Sequence, residues 1–417
     1  MKLRIAGFVL IATLAVCFIF AQPSDSKSGN STINTPSKVE SGFMDVEGGK
    51  IYYEMAGKGE VIVLVHDGNL HHVTWDAQFY TFAENYKVIR YDRRGYGKSS
   101  FPEKPYSNVQ DLNSVFNFCN VDKAAVFGMS AGGGLSIDFT LEYPGKVTSL
   151  VLVGAVVSGY GYTDHFLSRG GRLDAADFAN PEKLIDYMFK RDPYTIYSEN
   201  KEAKQKALKW MLANPHNYDF RKNRLDTGPK RPALGVLGEI NVPVLIVVGE
   251  YDIPDVHSHA GAIEAGIKNS ERVVVRNAAH LVPLEKPDEF NRLVLGFLKS
   301  SDFLNIIHNK GPAEALRHFE KMRKDGIKEI PFRENKINTL GYYYLQNGQV
   351  KESIELFKLN ILAYPASWNA YDSLAEAYMQ NKDYENAIKY YKKSIELNPE
   401  NTNAVERLKQ LEKIKRD

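Results

Sequence analysis

The pattern G-x-S-x-G spans Gly128 to Gly132, with Ser130 at its centre. A serine hydroxyl is a poor nucleophile at neutral pH. It needs a base within hydrogen-bond reach, a carboxylate to orient that base, and N–H donors where an oxyanion forms. The chain offers a candidate for each part. Asp252 closes the run VLIVVGEYD; Asp255 is the fallback, and otherwise caps the helix that follows. His280 follows RVVVRNAA, 28 positions beyond Asp252. In VLVHDGNL the backbone N–H of Gly68, together with that of Ala131, is the candidate oxyanion pair. Together these residues would carry out attack of an activated hydroxyl on a carbonyl carbon.

Other reactive side chains read more plainly. His66 is expected to hydrogen-bond within its own loop. His71 and His72 are adjacent, with no spaced carboxylate cluster, which argues for surface or lid contacts rather than a metal site. Cys119 reads as a buried helix cysteine. If Cys17 leaves with an N-terminal leader, Cys119 stands alone and no intramolecular disulfide is available.

The candidates are useful only if strands and helices carry them to one place. VIVLVH (from Val61), KVIRYD (Lys87), AAVFGM (Ala124), SLVLVGA (Ser149), VLIVVGE (Val244) and RVVVRN (Arg272) are apolar, β-branched runs without alternation. Such runs are buried on both faces, as helices flanking a parallel sheet require. The spacing predicts a doubly wound, mostly parallel α/β domain over residues 42–300. Ser130 falls between a strand and a helix, where small neighbours lift the hydroxyl above the sheet edge and the helix N-terminus favours negative charge. From about 156 to 237 the strand spacing lapses into helical periodicity, read as a cap over the carboxyl ends of the strands.

Beyond the G-x-S-x-G segment, YDRRGYGKSS (Tyr91 to Ser100) is similar to a D-x-R-G-x-G-x-S turn, and AAHLVPLEKPDEFNRLVLGFL to a final histidine loop and helix. On these motifs, and on the order Ser, Asp, His, residues 42–300 resemble the α/β-hydrolase superfamily with a helical cap, of the small-molecule esterase and lactonase type. The resemblance implies a serine hydrolase without cofactor. Serine at the elbow argues against haloalkane dehalogenase and epoxide hydrolase chemistry, which use aspartate there, and leaves acyl transfer to water; carbon–carbon hydrolysis uses the same parts. Asp67 departs from the pattern, which carries glycine after the loop histidine. Its carboxylate would weaken an oxyanion or select cationic leaving groups, unless Arg93 and Arg94 pair with it. Those arginines are read chiefly as fixing the loop.

After residue 301 the strand signal stops and the chain repeats itself. Ile337, Leu340, Gly341, Tyr344, Phe357 and Pro365 recur as Tyr371, Leu374, Ala375, Tyr378, Tyr391 and Pro399, a shift of 34 (371 − 337), and Ser353 becomes Ala387. This resembles the tetratricopeptide repeat. The helical domain is placed at 301–417, clearest over 334–401, with a degenerate first repeat around Ala315 and Phe319 and the last helix as a cap. No glycine-serine linker precedes it, which predicts rigid docking.

At the other end, Lys2 and Arg4 precede an apolar run to Phe20, read as a signal peptide over 1–21. An uncleaved anchor, or lipidation at Cys17 in a lipobox-like LAVC, are the alternatives that would bring the chain to a membrane. Residues 22–41, rich in Ser, Asn and Thr, read as a flexible linker. Lys and Arg total 53 against 51 Asp and Glu, a formal charge of +2; that balance gives no electrostatic footprint for nucleic acid.

Two functions follow. One is an exported serine hydrolase of a small-molecule ester, lactone or thioester, with Tyr160, Tyr162, Phe166, Tyr187, Phe189 and Trp210 of the cap shaping an apolar pocket. The other is an interaction or scaffold protein whose repeats hold a protein or peptide partner, with Tyr342, Tyr343, Asn369 and Asn381 as groove residues, and whose hydrolase domain is inactive or accessory.

Overall fold

The computed structural model describes residues 38–168, 180–187, 192–328 and 330–414. The expected signal peptide, Cys17, most of the linker and Phe189 lie outside them.

Eight strands form one sheet: β1 (Glu40–Val46), β2 (Gly49–Ala56), β3 (Val61–Val65), β4 (Lys87–Tyr91), β5 (Ala124–Met129), β6 (Val147–Val153), β7 (Val244–Gly249) and β8 (Ser270–Val275), in the order 1-2-4-3-5-6-7-8. β1 and β2 run antiparallel to their neighbours and the rest pair in parallel. The continuous apolar runs behave as their composition requires: every residue of β5 and β7 is buried. Successive side chains of a strand point to opposite faces, so Val126 joins the core on one side of the sheet and Phe127 the core on the other.

The expected linker runs one element too far. Glu40 and Ser41 already pair with Met55 and Glu54 in the edge strand β1. Only Met44 of that strand is buried, so its sequence carries almost no apolar signal.

Helices α1 (Asp76–Phe82), α2 (Asn108–Phe118) and α3 (Ala131–Glu142) cover the sheet with α7 (Pro254–Gly266) and α8 (Pro287–Lys310). Between β6 and β7 the described residues hold no strand but three helices, α4 (Asp164–Ser168), α5 (Pro181–Asp186) and α6 (Lys201–Ala213). This is the expected cap.

Helix α8 explains why no linker is needed. Its 24 residues begin in the sheet core, through Phe290 and Val294, and end in the core of the repeats, through Phe303, Leu304 and Ile307. Each phenylalanine buried this way stabilises by about 2–3 kcal/mol, so one rigid helix is anchored in both halves. Antiparallel helices follow: α9 (Pro312–Lys324), α10 (Glu334–Gln346), α11 (Val350–Ala363), α12 (Trp368–Gln380), α13 (Tyr384–Leu397) and α14 (Thr402–Ile414). The 34-residue period has a packing cause: Gly341 lies against Phe357, where a Cβ would come within 2.4 Å of the ring. One period on, Ala375 and Tyr391 are both fully buried in a common cluster. Among the described residues no helix is long and apolar enough to cross a membrane.

Candidate active site

Ser130 sits between the end of β5 and the first residue of α3 with φ 52° and ψ −118°, left-handed backbone that a side chain rarely adopts. Such strain persists only where the surroundings over-determine it. Here the Ser130 N–H donates to the carbonyl of Val153 at 2.8 Å. Gly132 lets the helix start close against the loop after β3: a Cβ there would lie 2.3 Å from the His66 carbonyl. The elbow and the loop are therefore pressed together, and the ideal Cβ of Gly68 is 3.5 Å from that of Ala131.

Asp252 follows β7 and His280 follows β8. His280 Nδ1 donates to the Asp252 carboxylate, 2.9 Å from Oδ2 and 3.0 Å from Oδ1, and Asp252 is 4% exposed. Beneath the pair is Gly154, at φ +51°, where a Cβ would come within 3.0 Å of the imidazole. Ser130, Asp252 and His280 line one cavity of about 100 Å³, with Ala131 and Asn69 in its wall.

Of the two residues expected to supply oxyanion donors, Ala131 lines this cavity and Gly68 packs against Ala131. Ala131 is the first residue of α3, whose N–H has no partner within the helix. The Gly68 N–H has no acceptor among the described residues. The neighbouring N–H groups do: Asp67 Oδ1 accepts from Asn69 at 2.7 Å and Leu70 at 2.9 Å, while Oδ2 accepts from the Thr74 hydroxyl at 2.9 Å. Asp67 is therefore a turn-closing residue, and its carboxylate is consumed by its own loop. The expected pairing with Arg93 and Arg94 does not form. Arg94 makes a bidentate ion pair with Asp111, two bonds of 2.7 Å, and Arg93 donates to carbonyl oxygens.

His66 does fix its own loop. Nε2 accepts the Arg93 N–H at 2.9 Å, so Nδ1 carries the proton and donates to the Asp67 carbonyl at 2.7 Å. Burial, with Arg93 nearby, holds its pKa well below the ordinary range, so the ring is neutral.

His71 and His72 are buried, not on the surface, because both turn toward Asp92 at the end of β4. His72 Nδ1 donates to Asp92 Oδ1 at 2.7 Å, and His71 Nε2 meets the Asn214 amide of the cap at 3.1 Å. His71, His72 and Asp92 bring ligand-type atoms within 4.8 Å of one another. Two ligands of a tetrahedral zinc stand roughly 3.3 Å apart, and the 2.7 Å separation is that of a hydrogen bond instead. Asp255 also differs from expectation: Ile253 holds the cap position, and Asp255 accepts from the Thr163 N–H and hydroxyl, tying the cap to α7. Cys119 is buried, its thiol pushed up to about 11 by that burial.

A second chamber of about 310 Å³ adjoins the first through Ala131, Val156 and Tyr162. It was expected to be apolar, and it is not. Tyr160 and Tyr162 line it, but so do Arg93, Asn108, Asp138 and Asp226, and burial pushes the Asp138 carboxyl up to about 6. Phe166 lines the smaller chamber, while Tyr187 and Trp210 pack against the core.

Glu285 was missed by the sequence reading. Its buried carboxylate accepts the N–H groups of Ala279 and Leu281, either side of His280, and that of Tyr197 from the cap. The signal was an acidic residue directly after the apolar run Leu281 to Leu284 that follows His280.

A protein-family model described as the alpha/beta hydrolase fold matches residues 60–287. The chain belongs to the α/β-hydrolase fold family. A tetratricopeptide repeat model matches residues 369–401. This hydrolase is 32% identical, over 280 residues, to a 2-hydroxy-6-oxononadienedioate/2-hydroxy-6-oxononatrienedioate hydrolase of Klebsiella pneumoniae, a match covering 61% of this chain and 94% of that one. It is 24% identical to a 2-hydroxy-6-oxo-6-phenylhexa-2,4-dienoate hydrolase of Comamonas testosteroni, over 64% of this chain and 97% of that protein. Among solved structures, an enol-lactonase from Burkholderia xenovorans superposes with a TM-score of 0.53 at 19% identity, covering 62% of this chain and 99% of its own, a likeness of fold. The α/β-hydrolase domain is an enzyme domain, and the repeats are appended to it.

Proposed function

We propose that this hydrolase cleaves a small carboxylic ester, or a lactone or thioester, through an acyl-enzyme on Ser130. The observation that carries the reading is the His280–Asp252 pair lining the same cavity as a strained Ser130. His280 takes the serine proton as the hydroxyl attacks, and Asp252 stabilises the imidazolium that results. The N–H groups of Gly68 and Ala131 hold the oxyanion. His280 returns the proton to the leaving group, and water repeats the cycle on the acyl-enzyme.

The two chambers meet beside the nucleophile, which suits a substrate with a short acyl group in the smaller one and a polar remainder in the larger. The relatives named for 2-hydroxy-6-oxo dienoates put that class of keto acid on the substrate panel beside esters. The leader expected over residues 1–21 supports export, and the repeats support recruitment of a protein or peptide partner. A scaffold that had retired its enzyme would have no use for the strained serine.

The test is turnover of p-nitrophenyl acetate by the native chain, Ser130→Ala and His280→Ala. Loss in both variants is expected. Unchanged rates in both overturn the reading, and N-terminal sequencing of protein recovered from outside the cytoplasm checks export.

A further inference from the structure

Arg93 is 6% exposed, yet among the described residues no carboxylate stands at ion-pair distance from its guanidinium; Asp226, in the wall of the same larger chamber, attracts it only from farther off. Burying a charge without a close partner is costly, and the cost is tolerated where the charge serves something else. Its Nη1 donates to the Asp67 carbonyl at 3.2 Å and reaches the His66 carbonyl at 3.4 Å, its Nε is buried without an acceptor among the described residues, and its face lies 5.0 Å from the Tyr96 ring centre. The Asp67 carbonyl therefore receives two donors, Arg93 and, at 2.7 Å, His66 Nδ1.

That carbonyl and the N–H of Gly68 belong to one peptide group, and in a trans peptide they point in opposite directions. Electron density drawn toward the oxygen leaves the N–H a stronger donor, and hydrogen bonds in a chain reinforce one another in a low-dielectric interior. The next carbonyl, of Gly68, is held by the Tyr96 hydroxyl at 3.1 Å, so the peptide is fixed on both sides.

We infer that Arg93 is a positioning residue for the oxyanion site, acting through the Asp67–Gly68 peptide to strengthen the N–H that Gly68 offers to the tetrahedral intermediate. The inference rests on the serine-hydrolase reading above. Arg94, next in sequence, does not share the role, because Asp111 neutralises it.

The experiment compares the native chain with Arg93→Met and Arg93→Gln, two neutral variants, and with Arg93→Lys, which keeps the charge. Turnover of p-nitrophenyl acetate is expressed per site titrated with a fluorophosphonate, so misfolded protein does not count. Affinity is also measured for a trifluoromethyl ketone, which forms an oxyanion on the serine. In the neutral variants kcat is expected to fall about 10- to 100-fold with KM within two-fold, and the ketone to bind more weakly by the same factor; Arg93→Lys loses less. Ketone affinity and kcat within two-fold of native in both neutral variants would make Arg93 a loop-fixing residue and overturn the inference. A raised KM at constant kcat overturns it in favour of ground-state substrate recognition. Turnover surviving Ser130→Ala brings down the underlying reading instead, which separates the two failures.

Discussion

Glu285 holds the loop of His280 from both sides, accepting the Ala279 N–H at 3.0 Å and the Leu281 N–H at 3.1 Å. Its other oxygen accepts the Tyr197 N–H at 2.8 Å, and the His280 N–H itself donates to the Tyr194 carbonyl, so the His280 loop and the cap are fastened together. The imidazole is positioned by a carboxylate that does not touch it.

Burial pushes the Glu285 carboxyl up to about 7 from its ordinary 4.5, against the three N–H groups that favour the charged form. Between those values the native protein keeps a proton that the unfolded chain has released. The contribution of this group to stability therefore falls as pH rises through that window, by on the order of 3 kcal/mol. Urea unfolding of native and Glu285→Gln protein from pH 4.5 to 7 is expected to show the steeper decline in the native chain. Equal slopes contradict the assignment.

Asp252→Asn replaces the acceptor of the His280 Nδ1 proton with an amide that can turn a donor toward it, favouring the wrong tautomer. The fold is expected to survive and kcat to fall by about 10³- to 10⁴-fold. A loss below ten-fold, with an unchanged melting curve, would mean that another carboxylate orients the base.

The repeats and the sheet have separate cores joined through α8. Gly341→Val forces a side chain into the ring of Phe357 and is expected to destabilise the repeats by about 2 kcal/mol, seen as a lower first transition in calorimetry, with ester turnover unchanged. Turnover falling in step with that transition would show that the repeats help to build the site.

The chemistry was legible where it is local. G-x-S-x-G sets a turn by its own small residues, and strands buried on both faces announce themselves by composition. Repeat register was equally legible, since Gly341 packs against Phe357 and their counterparts 34 residues on, Ala375 and Tyr391, again place a small residue and a ring in one cluster. What stayed hidden depends on partners far apart in sequence. Arg94 finds Asp111 and Arg93 finds the carbonyls of the loop after β3, a choice that two adjacent arginines do not reveal. Asp67 is an intermediate case: Asp-Gly-Asn is a side-chain-closed turn, so its two N–H partners were readable, but Thr74 completes the site only after the chain folds back. The polarity of the larger chamber comes from Asn108, Asp138 and Asp226, three separate elements that no single stretch brings together.

The account depends on the Ser130 hydroxyl being activated by His280. A fluorophosphonate probe applied to the full chain tests this directly, read by mass spectrometry of the modified peptide. The account predicts one adduct, on Ser130, formed rapidly in the native protein, slowed at least a hundred-fold in His280→Ala and absent in Ser130→Ala. Labelling of Ser130 at the same rate with and without the histidine, or no labelling of the native chain, would contradict it.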